Sequence, residues 1–470
     1  MLHLSIWQES RPRCEGDTSE LTIPDNIQAL SNEISSRLAA TDEGGSCATF
    51  YSLYRSPHEM LHSARAGFSL LRVQFSRSCL PIKLGSSSSL SKVPGRFKSI
   101  AALAKTVDNQ KAIGKWLLGL SGMTFGAVLL GGVTRLTESG LSMVDWHPFK
   151  EAPPFTEEQW ILEFEKYKQF PEYGYFISQH GEMTLSRFKF IWYMEYIHRM
   201  WGRAIGAAFL APAAYFWYKG YFIPAMKPRV LIYGSLIGFQ GLLGWLMVRS
   251  GLREPRRPAG LSKDEEYVGV PRVDHYWLCG HFCSALVLYS FFLWGSFNHL
   301  VQHPPVQRFS TLKQVKSLLF TTKALTFSTI IFGAFVAGLD AGLVYNSWPK
   351  MADRWVPADL IVPRYGSTVG NLMNNPTGVQ FMHRMLAYTT VASATALWAV
   401  VMRTGLAATG PRIRMAAHLV LGTALGQSAL GVLTLLHYVP VSLGAMHQGG
   451  SLILFTSLMW LMHCLRAVPK

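Results

Sequence analysis

Long apolar runs separated by shorter polar segments fill the chain from about residue 116 to its end. A helix that crosses a bilayer needs about 20 mostly apolar residues. The runs of that length are 116–136, 190–218, 230–249, 275–299, 319–340, 378–402, 414–436 and 441–465. They predict an all-α membrane protein with eight transmembrane helices and both termini on one side. The first, third, fourth, seventh and eighth runs carry almost no charge, whereas the other three hold charged residues at lipid depth.

The runs repeat. GGVTRLTESGLSMVDWHP at the end of the first resembles GAFVAGLDAGLVYNSWP at the end of the fifth, with Gly140-Leu141 against Gly342-Leu343. EYIHRMWG in the second matches QFMHRMLA in the sixth. Gln240 and Gly244 in the third match Gln427 and Gly431 in the seventh, and HFCSALVLY in the fourth matches HQGGSLILF in the eighth. Each match is weak alone, but the shared order predicts two tandem four-helix bundles related by a parallel pseudo-two-fold repeat. The expected division is an N-terminal half at 108–303 and a C-terminal half at 304–470.

Charge fixes an orientation. Only 15% of residues are charged and 49% are hydrophobic, yet the net charge is +16. The segments before the first run, between the second and third, fourth and fifth, and sixth and seventh, and after the eighth are basic and nearly free of acid. Segment 137–188 on the opposite side holds nine Asp/Glu against four Lys/Arg. This alternation is the positive-inside pattern, so a lipid bilayer accounts for the basic balance and no nucleic acid is needed. Residues 60–107 contain eight Lys/Arg, a run of Ser and no acid, as a mitochondrial transit peptide or basic linker does. The first 59 residues carry nine acids and four Lys/Arg, which suits a presequence badly. Met60 is therefore expected to be the true start, with 1–59 a poorly defined acidic extension arising from gene prediction. The termini then face the matrix.

The repeat singles out four of the 15 histidines, His198, His281, His383 and His447. Each lies in an even-numbered run, a few residues inside its non-matrix end, which places all four at roughly one depth. Neutral imidazole ligates iron, copper or zinc. Zinc would demand further ligands in each half, whereas a haem iron needs only two axial ones, and helical bundles commonly hold cofactors between facing helices. Trp192, Tyr193, Trp201, Tyr276, Trp277 and Phe282 lie nearby in sequence, as haem walls or as plain packing. Arg199 and Arg384 follow their histidines and suit either haem propionates or headgroups reached by snorkelling.

The halves differ three residues before the histidine, where the first has Glu195 and the second Gln380. Glu195 shares a helix face with His198. It either pairs with Arg199 or serves proton transfer beside a bound substrate. Arg135 and Glu138, with Asp340 in the second half, either line the same mouth or anchor the interface.

With these residues the sequence closely resembles the haem A synthase family, in the mitochondrial form that serves cytochrome c oxidase assembly. The resemblance runs from about Lys115 to Arg466. Its most specific pieces are GGVTRLTESGLSMVDWHPFKEAPP, FEKYKQFPEY, EYIHRMWGR, GLDAGLVYNSWPKM, FMHRMLAY and MHQGGSL. It implies an oxidoreductase of the mitochondrial inner membrane that converts the C8 methyl of haem O to the formyl group of haem A by successive hydroxylations. By the same resemblance, His383 and His447 bind a resident haem b, His198 and His281 ligate the substrate haem, and Glu195 is the catalytic carboxylate. Implied partners are a haem O synthase as donor and a matrix ferredoxin with its reductase as electron source; a homo-oligomer is compatible. In DHYWLCGHF, His275 is a second candidate ligand beside His281, and Cys279 and Cys283 read as packing residues. The competing reading is a bis-His cytochrome b that exchanges electrons with quinone, which explains the four histidines but not Glu195 in one half only. A transporter fits less well, because transporter repeats are often inverted with their sites at mid-membrane.

Overall fold

Short capping motifs just outside the apolar runs set where the helices begin. The computed structural model describes residues 94–147, 151–253, 269–302 and 306–468. The acidic extension 1–59 and the basic segment as far as residue 93 lie outside the described residues. Those described are helical, apart from loops, short 3-10 turns and an isolated antiparallel bridge between Met351 and Arg354. In chain order the helices are α1 Pro94–Leu136, α2 Glu157–Tyr167, α3 Pro171–His180, α4 Leu185–Tyr218, α5 Lys227–Gly251, α6 His275–Leu300, α7 Leu312–Gly338, α8 Thr368–Asn374, α9 Pro376–Thr404, α10 Leu406–Leu436 and α11 Val441–Cys464.

Thr184 caps α4 by accepting from Arg187 N at 3.2 Å. Asp274 caps α6 through Tyr276 N and Trp277 N at 2.9 and 3.3 Å. Asn375 caps α9, with Pro376 at the first helical position, where its missing N–H is no loss. Each cap contributes about 1 kcal/mol. α10 is broken near its start by Gly410 at φ 71, followed by Pro411; only glycine enters that backbone region without strain.

Seven of the helices are long and apolar enough to cross a membrane, α1 from Val107 onward and α5, α6, α7, α9, α10 and α11. The expected second span behaves differently. α4 has 34 residues but carries Arg187, Lys189, Glu195, Arg199 and Arg203. At 1.5 Å per residue it is roughly 51 Å long, against a hydrocarbon core of about 30 Å. Its first turns instead meet the two short helices of the 137–188 segment. Phe188, Ile191 and Trp192 pack with Trp160, Phe164 and Tyr167 of α2 and with Met143 and Met183. Phe164 stacks on Phe188 at 4.8 Å, and Trp160 meets Trp192 edge-on at 5.1 Å.

α1 packs against α4, α6 and α11, while α7 packs against α6, α9 and α11. Glycines bring α11 close to α1. A Cβ on Gly444 would stand 2.7 Å from Leu136, and one on Gly449 would stand 2.9 Å from Leu129. Small residues permit this approach where no hydrophobic effect drives helix association. Gln448 then reaches across to donate to Val128 O at 2.8 Å.

Candidate functional site

Each of the four histidines sits against a glycine of the preceding long helix. A Cβ on Gly131 of α1 would lie 3.0 Å from His198 Nε2, and one on Gly244 of α5 would lie 3.1 Å from His281 Cε1. The corresponding distances are 3.1 Å from Gly333 of α7 to His383 Cε1 and 2.7 Å from Gly431 of α10 to His447 Cε1. The missing side chain opens the slot that each ring occupies. All four rings are half-buried.

The two pairs are held differently. His383 Nδ1 lies 3.0 Å from Thr329 O. A carbonyl only accepts, so Nδ1 carries the proton and the Nε2 lone pair is left for a ligand. Gln427 places its amide nitrogen 3.0 Å from His447 Nδ1 and 2.8 Å from His447 O, with its own Oε1 buried and unpartnered. The amide N–H groups of Gln427 thus donate to the ring and to the backbone carbonyl of the same residue, and hold His447 from its Nδ1 side. Partners of this kind fix the tautomer and aim of ligating imidazoles. In the other pair His198 has no hydrogen bond among the described residues. Gln240 donates to His281 O at 3.0 Å but stands 3.4 Å from the ring, whose Nδ1 is buried without a partner.

The donor set fits a haem iron, which brings four nitrogens of its own and asks for axial ligands. His383 and His447 are centred 6.3 Å apart with their planes at 83°.

Glu195 is buried, and both of its oxygens are engaged. Oε2 accepts from Ser142 Oγ and Met143 N, each at 2.9 Å, and Oε1 accepts from Arg199 at 2.7 Å. Arg199 also donates to Asp145 O, Met143 O and Glu151 Oε1, while the other oxygen of Glu151 pairs with Arg203. Thus α4 grips the loop that follows α1. The second half repeats the grip without a carboxylate. Gln380 donates to Ala341 O and Tyr345 O, and Arg384 donates to Ser347 O and Tyr345 O at 3.0 and 2.9 Å. Both arginines, read from the sequence as suiting either haem propionates or headgroups, spend their terminal N–H groups on protein acceptors here.

Other expected residues fall as follows. His275 lies against Gly338 and Phe335, with Nε2 at 3.2 Å from Asn374 Oδ1, so it points across to α8 and not into the slot that His281 fills. Tyr276 also reaches Asn374, and Trp192 belongs to the outer aromatic cluster. Trp201 stands against Gly126 of α1 and donates to Met123 O at 2.8 Å. Cys279 and Cys283 are free, with Sγ atoms 3.8 Å apart. Arg135 and Arg272 both pair with Asp340 at 2.7 Å.

Sequence reasoning missed Glu151, although it stands inside the GGVTRLTESGLSMVDWHPFKEAPP motif and Arg199 and Arg203 are one turn apart. It also missed Asp359, which accepts from Tyr345 and Thr377 at 2.6 Å each and pins the loop before α9. Burial works against ionisation of Asp359, but these two hydrogen bonds hold its carboxyl below the usual value. In α3, burial pushes the Glu172 carboxyl up to about 8, reinforced by Glu195 and Glu138 and opposed by the Tyr167 hydroxyl and Arg135.

Residues 114–459 match the COX15-CtaA family, described as cytochrome oxidase assembly protein. The chain is 48% identical over 403 residues to a mouse protein named Heme A synthase COX15, covering 85% of this chain and 94% of that protein. It is 38% identical over 403 residues to the Saccharomyces cerevisiae protein of the same name, covering 81% and 80%. A Schizosaccharomyces pombe protein named Heme A synthase-mitochondrial ferredoxin fusion protein is 34% identical over 397 residues, covering 79% of this chain and 62% of that one. With three quarters of its length matched by the family and 48% identity to the mouse protein, this chain belongs to the COX15-CtaA family of cytochrome oxidase assembly proteins.

Proposed function

We propose that this chain, a haem A synthase, oxidises the C8 methyl of haem O to the formyl group of haem A. In this reading haem O is held between His198 and His281, and a resident haem b between His383 and His447. The observation that carries the assignment is the unequal support of the two pairs. The His383–His447 pair has hydrogen-bonding partners for both rings, as suits a cofactor that stays. His198 lacks one and the Gln240 contact to His281 is long, as suits a substrate that must enter and leave. Haem b, when bound, supplies one-electron transfer toward the substrate. Glu195 holds the loop after α1 against α4 beside His198 and is the carboxylate nearest that histidine in sequence. Arg199 and Arg384 brace the outer loops, and each keeps a buried Nε without a partner.

In this reading α4 is the eighth span, and the halves are 108–303 and 304–470. The recurrence of the histidine–glycine contact four times supports the tandem repeat. The basic segments place both termini in the matrix of a mitochondrion, with 60–107 as the transit peptide or basic linker and the protein in the inner membrane. The fission yeast fusion supports a ferredoxin as electron source, and a haem O synthase is the donor. Pigment extraction from the purified full chain tests the assignment. Haem b accompanied by haem O, a hydroxylated intermediate or haem A is expected; haem b alone at two per chain would instead indicate an electron carrier.

A further inference from the structure

A second concavity lies at the opposite end of the helices from the capped mouths. It is a cavity of about 980 Å³ bounded by α1 around Val107–Lys111, the α4–α5 connection and the ends of α6 and α11. Lys111, Arg229 and Arg466 line it together with His299 and His463, and none of its lining residues is acidic. We propose that this cavity binds the phosphate headgroup of an anionic membrane lipid, on the understanding that these helices span a bilayer with this end at its basic side.

Arg229 carries the argument. Cations at the last turn of a helix are favoured by the helix dipole alone, which accounts for Arg466 beside the end of α11. Arg466 also donates to Asn298 and lies over Trp294. Lys111 has Asp108 one turn away at 3.9 Å. Arg229 has neither explanation. It stands on the first turn of α5, where the dipole opposes a cation and Lys227 adds another, and it makes no hydrogen bond or ion pair among the described residues. The start of α5 thus offers unpaired positive charge to a concave site with no acidic residue among its described lining residues. Ile223, Met226 and Val301 supply apolar lining at the same mouth, where acyl chains leave the headgroup. Basic pockets between membrane helices on this side bind anionic headgroups. A free phosphate shares the chemistry but would not use the apolar rim.

The test uses the full chain reconstituted in bilayers of phosphatidylcholine alone, with one part in five phosphatidylglycerol, or alone with inorganic phosphate in the buffer. Thermal midpoint, haem content and the phosphatidylglycerol retained on re-extraction are read together. Wild-type protein should gain stability and retain phosphatidylglycerol only in the second case. Arg229→Gln should leave the midpoint in phosphatidylcholine unchanged or higher, since it removes an unpaired cation from a helix start, and should retain phosphatidylglycerol about fivefold more weakly. Lys313→Gln, on the same side but outside the cavity, should behave as wild type. Equal retention by wild type and Arg229→Gln at normal haem content would overturn the proposal without touching the haem assignment. Stabilisation by inorganic phosphate equal to that by phosphatidylglycerol would overturn the lipid as its source.

Discussion

A methyl group at any of the four glycines facing a histidine would occupy space the ring already fills. Gly431→Ala is the severest case, because its Cβ would stand 2.7 Å from His447 Cε1. The ring would have to leave the Gln427 amide, so we expect purified Gly431→Ala to lose most of its haem b while still folding. Gly422→Ala on the same helix meets nothing within 4 Å and should keep its haem, with a gain of about 1 kcal/mol in helix propensity. Glu195→Gln asks a different question, since Gln380 already occupies the equivalent place in the other half. The amide is sterically acceptable and can still accept from Met143 N, so haem binding should persist while haem A formation is abolished. Unchanged haem A content would leave Glu195 a loop brace only. The four histidines proposed as ligands stand out in the sequence because repetition picks them from the 15 present. Glu151 does not, because its partners Arg199 and Arg203 lie about 50 residues away and only the return of the loop over α4 joins them.

All eight long runs were legible as helices, seven of them because they have the length and apolarity that lipid demands and the second, α4, despite its charges. α2 and α3 were not. Helices of 11 and 10 residues are marginal alone, and these owe their form to packing against the projecting turns of α4. Their local signs were nevertheless present, a capping box at Thr156 and Gln159 and Pro171 at the first position of α3. Packing them there buries Glu172 beside Tyr167, and that has a consequence for pH. The folded-state carboxyl titrates near 8 against 4.5 when unshifted. Between these values the folded chain binds the proton that the unfolded chain has lost, so this contribution to stability is fully present below about pH 4.5 and is lost as pH rises through about 8. The thermal midpoint of the full chain in detergent should therefore fall over that window, and Glu172→Gln should flatten the fall. A parallel decline in both proteins would assign it to other groups. Glu138→Gln removes a like charge that raises the Glu172 value, so it should move the window to lower pH.

Across the whole molecule the repeat survives in backbone detail but is used unequally. Glu138 and Asp340 stand at the same place after α1 and α7, and both adopt φ 53, a left-handed conformation uncommon for side chains other than Asn, Asp or Gly. Their charges go to different ends. Asp340 takes Arg135 from the end of α1 and Arg272 from the approach to α6, tying three helix ends together. Glu138 makes no ion pair among the described residues, and its charge acts instead on Tyr167 and Glu172. The sequence alignment of the two halves pairs these residues without revealing this difference, because it lines up equivalent positions and is silent on contacts between the halves. Asp340→Asn leaves Arg135, whose side chain is 16% exposed, without its counter-charge. Solvent reaches Asp340 itself, at 40% exposure, which screens the pairs, so a loss of about 1–2 kcal/mol is expected from two charge-assisted hydrogen bonds. Scanning fluorimetry of Asp340→Asn and Glu138→Gln at pH 7 should show a lowered midpoint for the first and an unchanged or slightly raised one for the second. Equal losses would mean that the shared backbone geometry, and not the cross-connection through Asp340, is what these two acids contribute.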